Sequence, residues 1–412
     1  MVFLTHMSGN QNVRNALAAL KQAHLLDQFH TSIYWDSSFA INEWLPGSVR
    51  SELSRRSYPQ VLRKDVCTTP FREVARVLAR RFGLSVLTDS HRAPLSVARV
   101  CKSFDLATAR AIQRRRPKAV YAYEGGALRA FRTAKRQGTV CIYELPSGYW
   151  RYDLELLREE AALRPEYADT IPILSHSADF LKDRDEELEL ADHVIFPSDH
   201  VRRTLQRAPV SAEKFHKIAY GTDESNGPTR ALGSSHGRKL RVLFVGALTQ
   251  RKGIGYLLDA VKILGSSVQF TMVGPRNGRS ACIDAAVREH RWIPSIPHSG
   301  VLEEMAQHDV LVLPSLTEAY GLVILEALSR GLPVITTMSS GGPEIIREGQ
   351  DGFFVPIRSA EAIAQKLELL NQDRDLLDHM SASAAQRARE FTWQAYRSLL
   401  ATTLTQILAN RT

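Results

Sequence analysis

The chain has 412 residues, of which 44% are hydrophobic and 24% are charged, and its formal net charge is +9 at pH 7. Because one hydrophobic core stops growing near roughly 250–300 residues, this length predicts two domains. The basic surplus favours an anionic partner without choosing among phosphate groups, nucleic acid and lipid headgroups.

The cysteines and the apolar runs indicate the compartment. The cysteines are far apart and form no C-x-x-C pair, which argues against a zinc site or a disulfide framework and fits a reducing cytosol. No run approaches the roughly 20 apolar residues of a membrane span, and the first apolar run is too short for a signal peptide. The sequence therefore predicts a cytoplasmic protein whose membrane contact, if any, is peripheral.

In the first half of the chain, short apolar runs alternate with longer amphipathic stretches. The runs are rich in β-branched and aromatic residues and predict strands at Val2–Thr5, Ser85–Thr88, Val120–Tyr123, Val140–Tyr143 and His193–Pro197. Helical patterns lie between them, for example at Val97–Arg115 and Asp199–Arg207. This alternation predicts a parallel sheet that is covered by helices on both faces.

Residues 221–238 interrupt this pattern with four glycines, one proline and three serines, which predicts a linker between domains. The alternation then restarts, with strands predicted at Leu240–Val245, Val268–Val273, Val310–Leu313, Val334–Thr336 and Phe353–Val355. Helices are predicted at Gly253–Leu264, Gly321–Arg330 and Ala360–Leu370, and the chain after Asp373 has a helical pattern without a further strand. Ligands of such sheets bind at the carboxyl ends of the strands, so the loops that follow strands are the candidate sites.

The strand predicted at Leu240–Val245 leads into a polar loop with two cations. Gly246 ends the strand, and Arg251 and Lys252 precede Gly253 at the predicted helix start. Free N–H groups at a helix start attract an anion, neighbouring cations strengthen that attraction, and glycines allow close approach. Neither a nucleoside triphosphatase P-loop nor a G-x-G-x-x-G pattern is present here. Taken alone, the residues fit an anion site and a solvated basic loop equally well.

The segment Val310–Thr337 places two carboxylates around a second predicted helix start. Glu318 lies in the loop after the strand, and Glu326 lies on the second turn of the helix. The amides of Gly321–Val323, between them, are the unpaired donors of a helix start. The neighbours of Glu326 are apolar, and a buried glutamate needs a partner, so a solvated helix residue is the weaker interpretation. A carboxylate here can accept hydrogen bonds from a pair of sugar or ribose hydroxyls.

Together these motifs resemble those of glycosyltransferase family 4, the large retaining family of the GT-B fold. The similarity includes FVG-x-L-x-x-R-K-G and PS-x-x-E-A-x-G-L-V-x-L-E-A-L-x-x-G-x-P-V-I, and continues through GGPEII and DGFFV at residues 341–355. Ala191–Leu205 and Ile218–Ser225 resemble the end of the family's N-terminal domain.

The resemblance implies an α/β architecture of two Rossmann-like parallel-sheet domains that face a central cleft. Residues 1–220 would form the acceptor-binding domain, 221–238 the linker and 239–390 the nucleotide-sugar-binding domain. Residues 391–412 would form a helix that crosses back to the N-terminal domain.

By the same resemblance, Arg251 and Lys252 hold the donor diphosphate and act in catalysis with Glu318, which lies near the transferred sugar. Glu326 binds the nucleotide ribose. The other donor-binding residues that the resemblance implies are Gly9, Gly246, Gly321, Leu322 and Val323, the last two through their amides.

The chain departs from its relatives at two positions that bear on the substrates. Ala247 stands where many relatives carry an arginine after the glycine, and Arg251 is the candidate to supply that charge. Tyr143 stands where relatives often carry a sugar-contacting histidine. We therefore expect acceptor contacts from Tyr143, Glu144, Tyr149 and Trp150, although the last two fit a sugar-stacking platform and simple loop packing equally well.

The implied reaction transfers a sugar from a nucleoside diphosphate to an acceptor hydroxyl with retention of configuration. No cofactor or metal is expected, since the cations and helix amides would neutralise the leaving diphosphate. The expected partners are a nucleotide-sugar and a saccharide, lipid-linked or small-molecule acceptor, which indicates polysaccharide or glycolipid biosynthesis. The positive charge adds the hypothesis of peripheral contact between the N-terminal domain and the anionic inner face of a membrane.

Two other classes of protein fit parts of the sequence. One is another enzyme of this fold, such as a nucleotide-sugar epimerase or a phosphorylase; the other is a basic, non-catalytic protein that binds nucleic acid or membrane. The basic runs at 114–116 and 202–203 have no interleaved aromatic residues, so no nucleic-acid partner is expected. Asp183 and Asp185 match a metal-binding D-x-D, but the surrounding pattern is that of a helix with a solvated acidic face, and the histidines form no ligand cluster.

Overall fold

The computed structural model describes residues 1–36, 41–44, 47–54, 56–88, 93–223, 229–233 and 237–410. Seven parallel strands lie in the first part of the chain: β1 (Val2–Thr5), β2 (Leu26–Thr31), β3 (Val66–Thr68), β4 (Ala119–Tyr123), β5 (Val140–Glu144), β6 (His193–Phe196) and β7 (Phe215–Lys217). They form one sheet in the order β3-β2-β1-β4-β5-β6-β7. The central strands β1, β4 and β5 are fully buried, and all their side chains except those of Thr5 and Glu144 are apolar or aromatic.

The helices of this part cover the two faces of the sheet. They are α1 (Gln11–Gln22), α2 (Ile41–Trp44), α3 (Gly47–Ser54), α4 (Pro70–Arg81), α5 (Val97–Arg115), α6 (Leu128–Arg136), α7 (Trp150–Leu163), α8 (Ala178–Leu190) and α9 (Asp199–Leu205). Several begin at a side chain that caps the free amides of the first turn: Ser96 caps α5, Ser177 caps α8 and Ser198 caps α9.

A second parallel sheet follows. Its strands are β8 (Leu240–Val245), β9 (Val268–Val273), β10 (Arg291–Ile293), β11 (Val310–Leu313), β12 (Val334–Thr337) and β13 (Gly352–Val355), in the order β10-β9-β8-β11-β12-β13. The remaining helices are α10 (Ile254–Leu264), α11 (Ala281–Glu289), α12 (His298–Gln307), α13 (Leu322–Ser329), α14 (Gly342–Ile345), α15 (Ala360–Gln372), α16 (Arg374–Ala388) and α17 (Trp393–Ala409). The predicted fold class, two Rossmann-like parallel-sheet domains, is confirmed.

One predicted strand is wrong. Ser85–Leu87 forms a turn of 3-10 helix, and the side chain of Val86 is 87% exposed, so this run does not belong to a sheet. The strand beside β2 is instead Val66–Thr68. Both β2 and β3 escaped prediction because polar residues interrupt their apolar runs.

The chain passes between the two domains twice, and the two passages run side by side. Thr222 and Thr392 form a parallel bridge, in which the Thr222 amide bonds the Phe391 carbonyl at 2.9 Å. A Cβ on Gly221 would lie 2.3 Å from the Thr392 carbonyl carbon, so this close approach requires glycine. Of the predicted linker, residues 224–228 and 234–236 lie outside the described residues.

Beyond this crossing, the last helix lies on the N-terminal domain. Helix α17 packs along α1, and Arg397 Nη1 donates to Asn15 Oδ1 at 2.8 Å. Within the described ranges, no helix combines the length and the apolar character that crossing a bilayer requires.

Part of the N-terminal half docks on the C-terminal domain. The buried carboxylate of Glu160, on α7, accepts hydrogen bonds from Gln250 Nε2 at 2.7 Å, Tyr256 Oη at 2.9 Å and Arg358 Nε at 2.8 Å. A Cβ on Gly255 would lie 2.7 Å from the ring of Tyr167, in the 3-10 helix that follows α7. The two domains therefore share a tightly packed, hydrogen-bonded interface.

Candidate functional site

The turn between β8 and α10 is built on two glycines with positive φ. Gly246 has φ 144°, and a Cβ there would lie 3.0 Å from the side-chain carbons of Lys252. Gly253 has φ 71°, and a Cβ there would lie 2.0 Å from the carbonyl oxygen of Pro314. Glycine therefore lets this turn press against the loop after β11 and lets the stem of Lys252 cross over Gly246.

The two loops that the sequence singled out meet at Glu318. Lys252 Nζ lies 2.7 Å from Glu318 Oε2, and Arg251 Nη1 lies 3.4 Å from the same oxygen. Arg251 Nη1 also donates to the Thr317 carbonyl at 2.9 Å. The loops meet because β8 and β11 are neighbours in the sheet, so their carboxyl ends lie side by side.

Glu318 is held in its charged form. Burial alone would raise the pKa of this carboxyl, but the charges and hydrogen bonds of Lys252 and Arg251 lower it to about 2. The three side chains together carry a net charge of +1 at neutral pH, so the cluster still attracts an anion.

Beside this cluster, α13 begins with its amides directed away from its own helix. Its N-cap is Gly321 with φ 81°, and the amides of Leu322 and Val323 occupy the first turn, where an α-helix has no intrahelical acceptor for them. Such a helix start carries a partial positive charge. It therefore adds to the attraction for an anion near Lys252.

Glu326 lies on the second turn of the same helix. Its carboxylate is 3.8 Å from His298 Nε2 on α12, and its side chain is 19% exposed. Burial raises the pKa of Glu326. A hydroxyl pair that donated to this carboxylate would stabilise its charged form.

Gly9, the glycine expected from the other domain, lies in the loop after β1. A Cβ on Gly9 would lie 2.3 Å from the Tyr58 ring, so this backbone packs on an aromatic side chain of its own domain. Among the described residues, no hydrogen bond or ion pair joins Gly9 to Arg251, Lys252 or Glu318. A role of Gly9 in donor binding stays a prediction.

The residues expected to contact the acceptor are engaged within the protein. The Tyr143 hydroxyl donates to Glu187 at 3.1 Å, and Glu144, fully buried, accepts from the Tyr220 hydroxyl at 2.7 Å. Neither side chain opens onto a surface where a sugar could lie, because they are 1% and 0% exposed.

Tyr149 and Trp150 are also engaged in contacts within the protein. The Tyr149 hydroxyl and Trp150 Nε1 both donate to Asp185 Oδ1, at 2.9 and 2.7 Å, and both side chains are buried. Of the two interpretations that the sequence left open, loop packing is therefore favoured over a sugar-stacking platform. The same contacts engage Asp185 of the D-x-D pattern, and Asp183 lies 3.4 Å from Lys102 Nζ.

A polar triad that spans the two domains was missed by sequence reasoning. Thr317 Oγ1 donates to Asp153 Oδ1 at 2.7 Å and lies 3.0 Å from His200 Nε2. Burial raises the pKa of Asp153 to about 6, against the Thr317 hydrogen bond and the Arg251 charge, and burial lowers the pKa of His200 to about 4. Both residues follow strands of the N-terminal sheet, and that position was the only signal; nothing in the sequence pairs them with Thr317.

Comparison with known proteins places the cluster in a recognised domain. Residues 231–387 match the family model described as Glycosyl transferases group 1. The amylovoran biosynthesis glycosyltransferase AmsK of Erwinia amylovora is 29% identical over 46% of this chain and 50% of its own length. The D-inositol 3-phosphate glycosyltransferase of Streptomyces griseus is 26% identical over 54% of this chain and 53% of its own. The chain spans about half the length of the curated relatives it matches.

Solved structures share the whole fold. Sucrose-phosphate synthase from Thermosynechococcus elongatus superposes with a TM-score of 0.69 at 18% identity, covering 99% of both chains. Anabaena HepE in complex with UDP and glucose superposes with a TM-score of 0.64 at 16% identity, covering 98% of this chain and 99% of its own. The fold is that of GT-B glycosyltransferases, and the matched family region contains Arg251, Lys252, Glu318 and Glu326.

Proposed function

We propose that this protein is a retaining glycosyltransferase that moves a sugar from a nucleoside diphosphate to an acceptor hydroxyl without a metal ion. The observation that carries the proposal is the cluster of Arg251, Lys252 and Glu318 beside the amide start of α13. Family resemblance at both loops supports the same function.

In the proposed reaction, the diphosphate of the donor lies between Lys252 and the amides of Leu322 and Val323. The bond from the anomeric carbon to the phosphate oxygen breaks, and a bond from the same carbon to the acceptor oxygen forms. The acceptor proton passes to the leaving diphosphate on the same face of the sugar. Because charge on the diphosphate grows during this step, fixed cations and amides stabilise the transition state more than the ground state.

Two further roles follow from position. Glu326, one turn beyond the amides, accepts hydrogen bonds from the ribose hydroxyls of the donor. Glu318 holds the Lys252 ammonium beside the helix start and lies near the transferred sugar.

The acceptor, a saccharide or a lipid-linked or small-molecule alcohol, enters from the N-terminal domain. The reaction belongs to polysaccharide or glycolipid biosynthesis at the cytoplasmic face of a membrane.

The first test is a thermal-shift screen of the purified chain with UDP, GDP and ADP and with their sugar conjugates. A ligand at 100 times its Kd stabilises the native state by about 2.7 kcal/mol, so we expect one nucleotide family to raise Tm. Its sugar conjugate should be turned over with acceptor extracts, releasing nucleoside diphosphate at the same rate with and without EDTA.

Other outcomes separate the rival functions. Sugar conversion without an acceptor would indicate an epimerase, and release of sugar 1-phosphate would indicate a phosphorylase. No Tm increase with any nucleotide would overturn the proposal, and loss of turnover in EDTA that manganese restores would overturn metal independence.

A further inference from the structure

Helix α4 exposes a stripe of apolar side chains to solvent. Phe71, Val74, Leu78 and Phe82, the residue just after the helix, follow one another at the spacing of a single helical face, and all four are exposed. Phe71 is 88% exposed and Phe82 is 73% exposed. In a surface helix of a globular protein, such a stripe normally faces the core.

The stripe continues past the end of α4. Leu84 and Val86 are also exposed, so exposed apolar side chains recur from Phe71 to Val86. Single exposed apolar residues are common on protein surfaces, but a contiguous patch marks a surface that binds a partner.

The exposed charges of α4 are positive. Arg72, Arg80 and Arg81 are exposed on α4. The helix has one acidic residue, Glu73, which is buried and accepts hydrogen bonds from Arg56 at 3.0 Å and Arg76 at 2.7 Å. The outer surface of α4 is therefore apolar and cationic, without an exposed acid, which complements a layer of anionic lipid headgroups.

The patch also lies beside a basic groove. Arg72 Nη1 donates to the Pro94 carbonyl at 3.4 Å, next to the start of α5. Arg72 lines a groove together with Arg99, Lys102 and Arg129, and Asp179 is its acidic residue. This groove therefore lies beside the first turn of α4.

Helix α5, which carries Arg99 and Lys102 of this groove, also contacts the loop after β1. Cys101 Sγ, on α5, lies 3.7 Å from Met7 Sδ in the loop after β1. One helix therefore borders both the basic groove and the loop after β1.

We propose that α4 docks this protein on an anionic phospholipid bilayer, with the Phe71–Phe82 stripe among the headgroups and its arginines on lipid phosphates. Docking on the bilayer is independent of catalysis. The role of docking would be to present a phosphate-bearing lipid-linked acceptor to the cleft, and this role rests on the proposed function.

The test is co-sedimentation of the full chain with vesicles of equal parts phosphatidylglycerol and phosphatidylcholine, and with vesicles of phosphatidylcholine alone. We expect binding to the mixed vesicles that weakens with salt. Phe71→Ser/Phe82→Ser should weaken binding at least tenfold, and Arg80→Gln/Arg81→Gln should weaken it about fivefold per arginine, since each basic residue contributes roughly 1 kcal/mol at such a surface.

The matched control is Ile263→Ser/Leu399→Ser, which removes two exposed apolar side chains elsewhere on the protein and should leave vesicle binding unchanged. Vesicle binding that is absent in the unmodified chain, or equal in the phenylalanine variant, would overturn the proposal. So would a dimer in solution that the phenylalanine variant converts to a monomer, because the stripe would then bind a second copy.

The same variants separate docking from catalysis. Each should keep the nucleotide-induced Tm increase and the turnover of a water-soluble acceptor. If no nucleotide raises Tm but the phenylalanine variant loses vesicle binding, the proposed function fails and docking stands. If turnover is normal and vesicle binding is absent, docking fails and the proposed function stands.

Discussion

Lys252 pairs with a carboxylate in the structure and with the donor diphosphate in the proposed reaction. Its ammonium pairs with Glu318 at 2.7 Å, and this carboxyl stays charged because its pKa is held at about 2. Such a pair fixes the position of the ammonium before a donor arrives. Binding of a diphosphate then adds a second negative charge to a cation that is already in place, which limits the reorganisation that the reaction requires.

Lys252 and Glu326 should therefore give different kinetic results when substituted. Lys252→Ala removes a cation that acts on charge developing in the transition state, so kcat and kcat/KM should both fall, the latter at least tenfold or about 1.4 kcal/mol. Glu326→Ala removes contacts to a ribose that does not change during the reaction, so KM should rise with kcat nearly unchanged. Steady-state kinetics with the donor from the thermal-shift screen measures both.

Lys262→Ala, on the exposed side of α10, the helix that follows the Lys252 turn, is the matched control for Lys252→Ala and should be neutral. Thermal unfolding is followed in parallel, because Lys252→Ala also removes one of the two cations beside Glu318. Near-normal turnover in a folded Lys252→Ala variant would contradict the assignment.

Contacts of the site that follow from strand pairing could be predicted from the sequence, whereas contacts that depend on helix packing could not. Lys252 and Glu318 follow β8 and β11, whose pairing follows from the parallel alternation, so their meeting could be expected from the sequence. The engagement of Tyr149 and Trp150 with Asp185, 35 or 36 residues away, could not. A hydrogen bond of this kind depends on how α7 and α8 pack, which no local pattern encodes.

Among the secondary-structure elements, buried apolar strands were predicted more accurately than strands interrupted by polar residues. The bounds of β8, β9 and β11 match the prediction because each lies inside the sheet and is mostly apolar; the polar residues are Arg241 in β8 and Gln269 and Thr271 in β9. The strands that were missed, β2, β3, β7 and β10, include three of the four edge strands, where polar residues such as His216 and Arg291 break the run. The fourth edge strand, β13, was predicted because Phe353, Phe354 and Val355 are apolar. A buried parallel strand has a clear sequence signal, whereas an edge strand resembles a loop.

The turn before α10 gives a prediction about one element. Gly253→Ala should lower stability by the roughly 1–2 kcal/mol that a left-handed backbone costs an L-residue, plus about 1–3 kcal/mol for the clash of the new Cβ with Pro314. Since relief of the clash moves the loop that carries Arg251 and Lys252, donor affinity should also fall. Denaturant unfolding and nucleotide-induced Tm shifts measure the two effects.

Gly349→Ala is the control for this substitution, since Gly349 has φ 74° and open space within 4 Å of an added Cβ. It should show the backbone cost alone and leave donor affinity unchanged. Equal losses of stability in the two variants, with normal donor affinity in both, would show that the contact with Pro314 does not position the loop.

At the scale of the whole molecule, the interface between the two domains contains charged side chains that the sequence analysis did not predict. Arg358 adopts φ 63°, an unfavourable backbone for an L-residue, and its guanidinium reaches Glu160 Oε2 and Glu159 Oε1, each at 2.8 Å. The sequence predicted two domains but not this docking of α7 on the other domain. Its residues lie about 200 positions apart along the chain, and either glutamate alone resembles an ordinary helix residue.

Glu160 and Glu159 provide a test of that interface, because they are adjacent, pair with the same arginine and differ in burial. Glu160→Ala would leave Gln250, Tyr256 and Arg358 without their shared acceptor. Removing one member of a buried charged pair costs about 3–5 kcal/mol, so we expect a large fall in the free energy of unfolding. Because the lost contacts join the domains, we expect calorimetry to show one transition for the unmodified chain and two for this variant. Glu159→Ala removes an exposed partner of Arg358 and should change stability little. Two variants with the same single transition would mean that the apolar part of the interface, around Tyr167 and Gly255, holds the domains together without the Glu160 cluster.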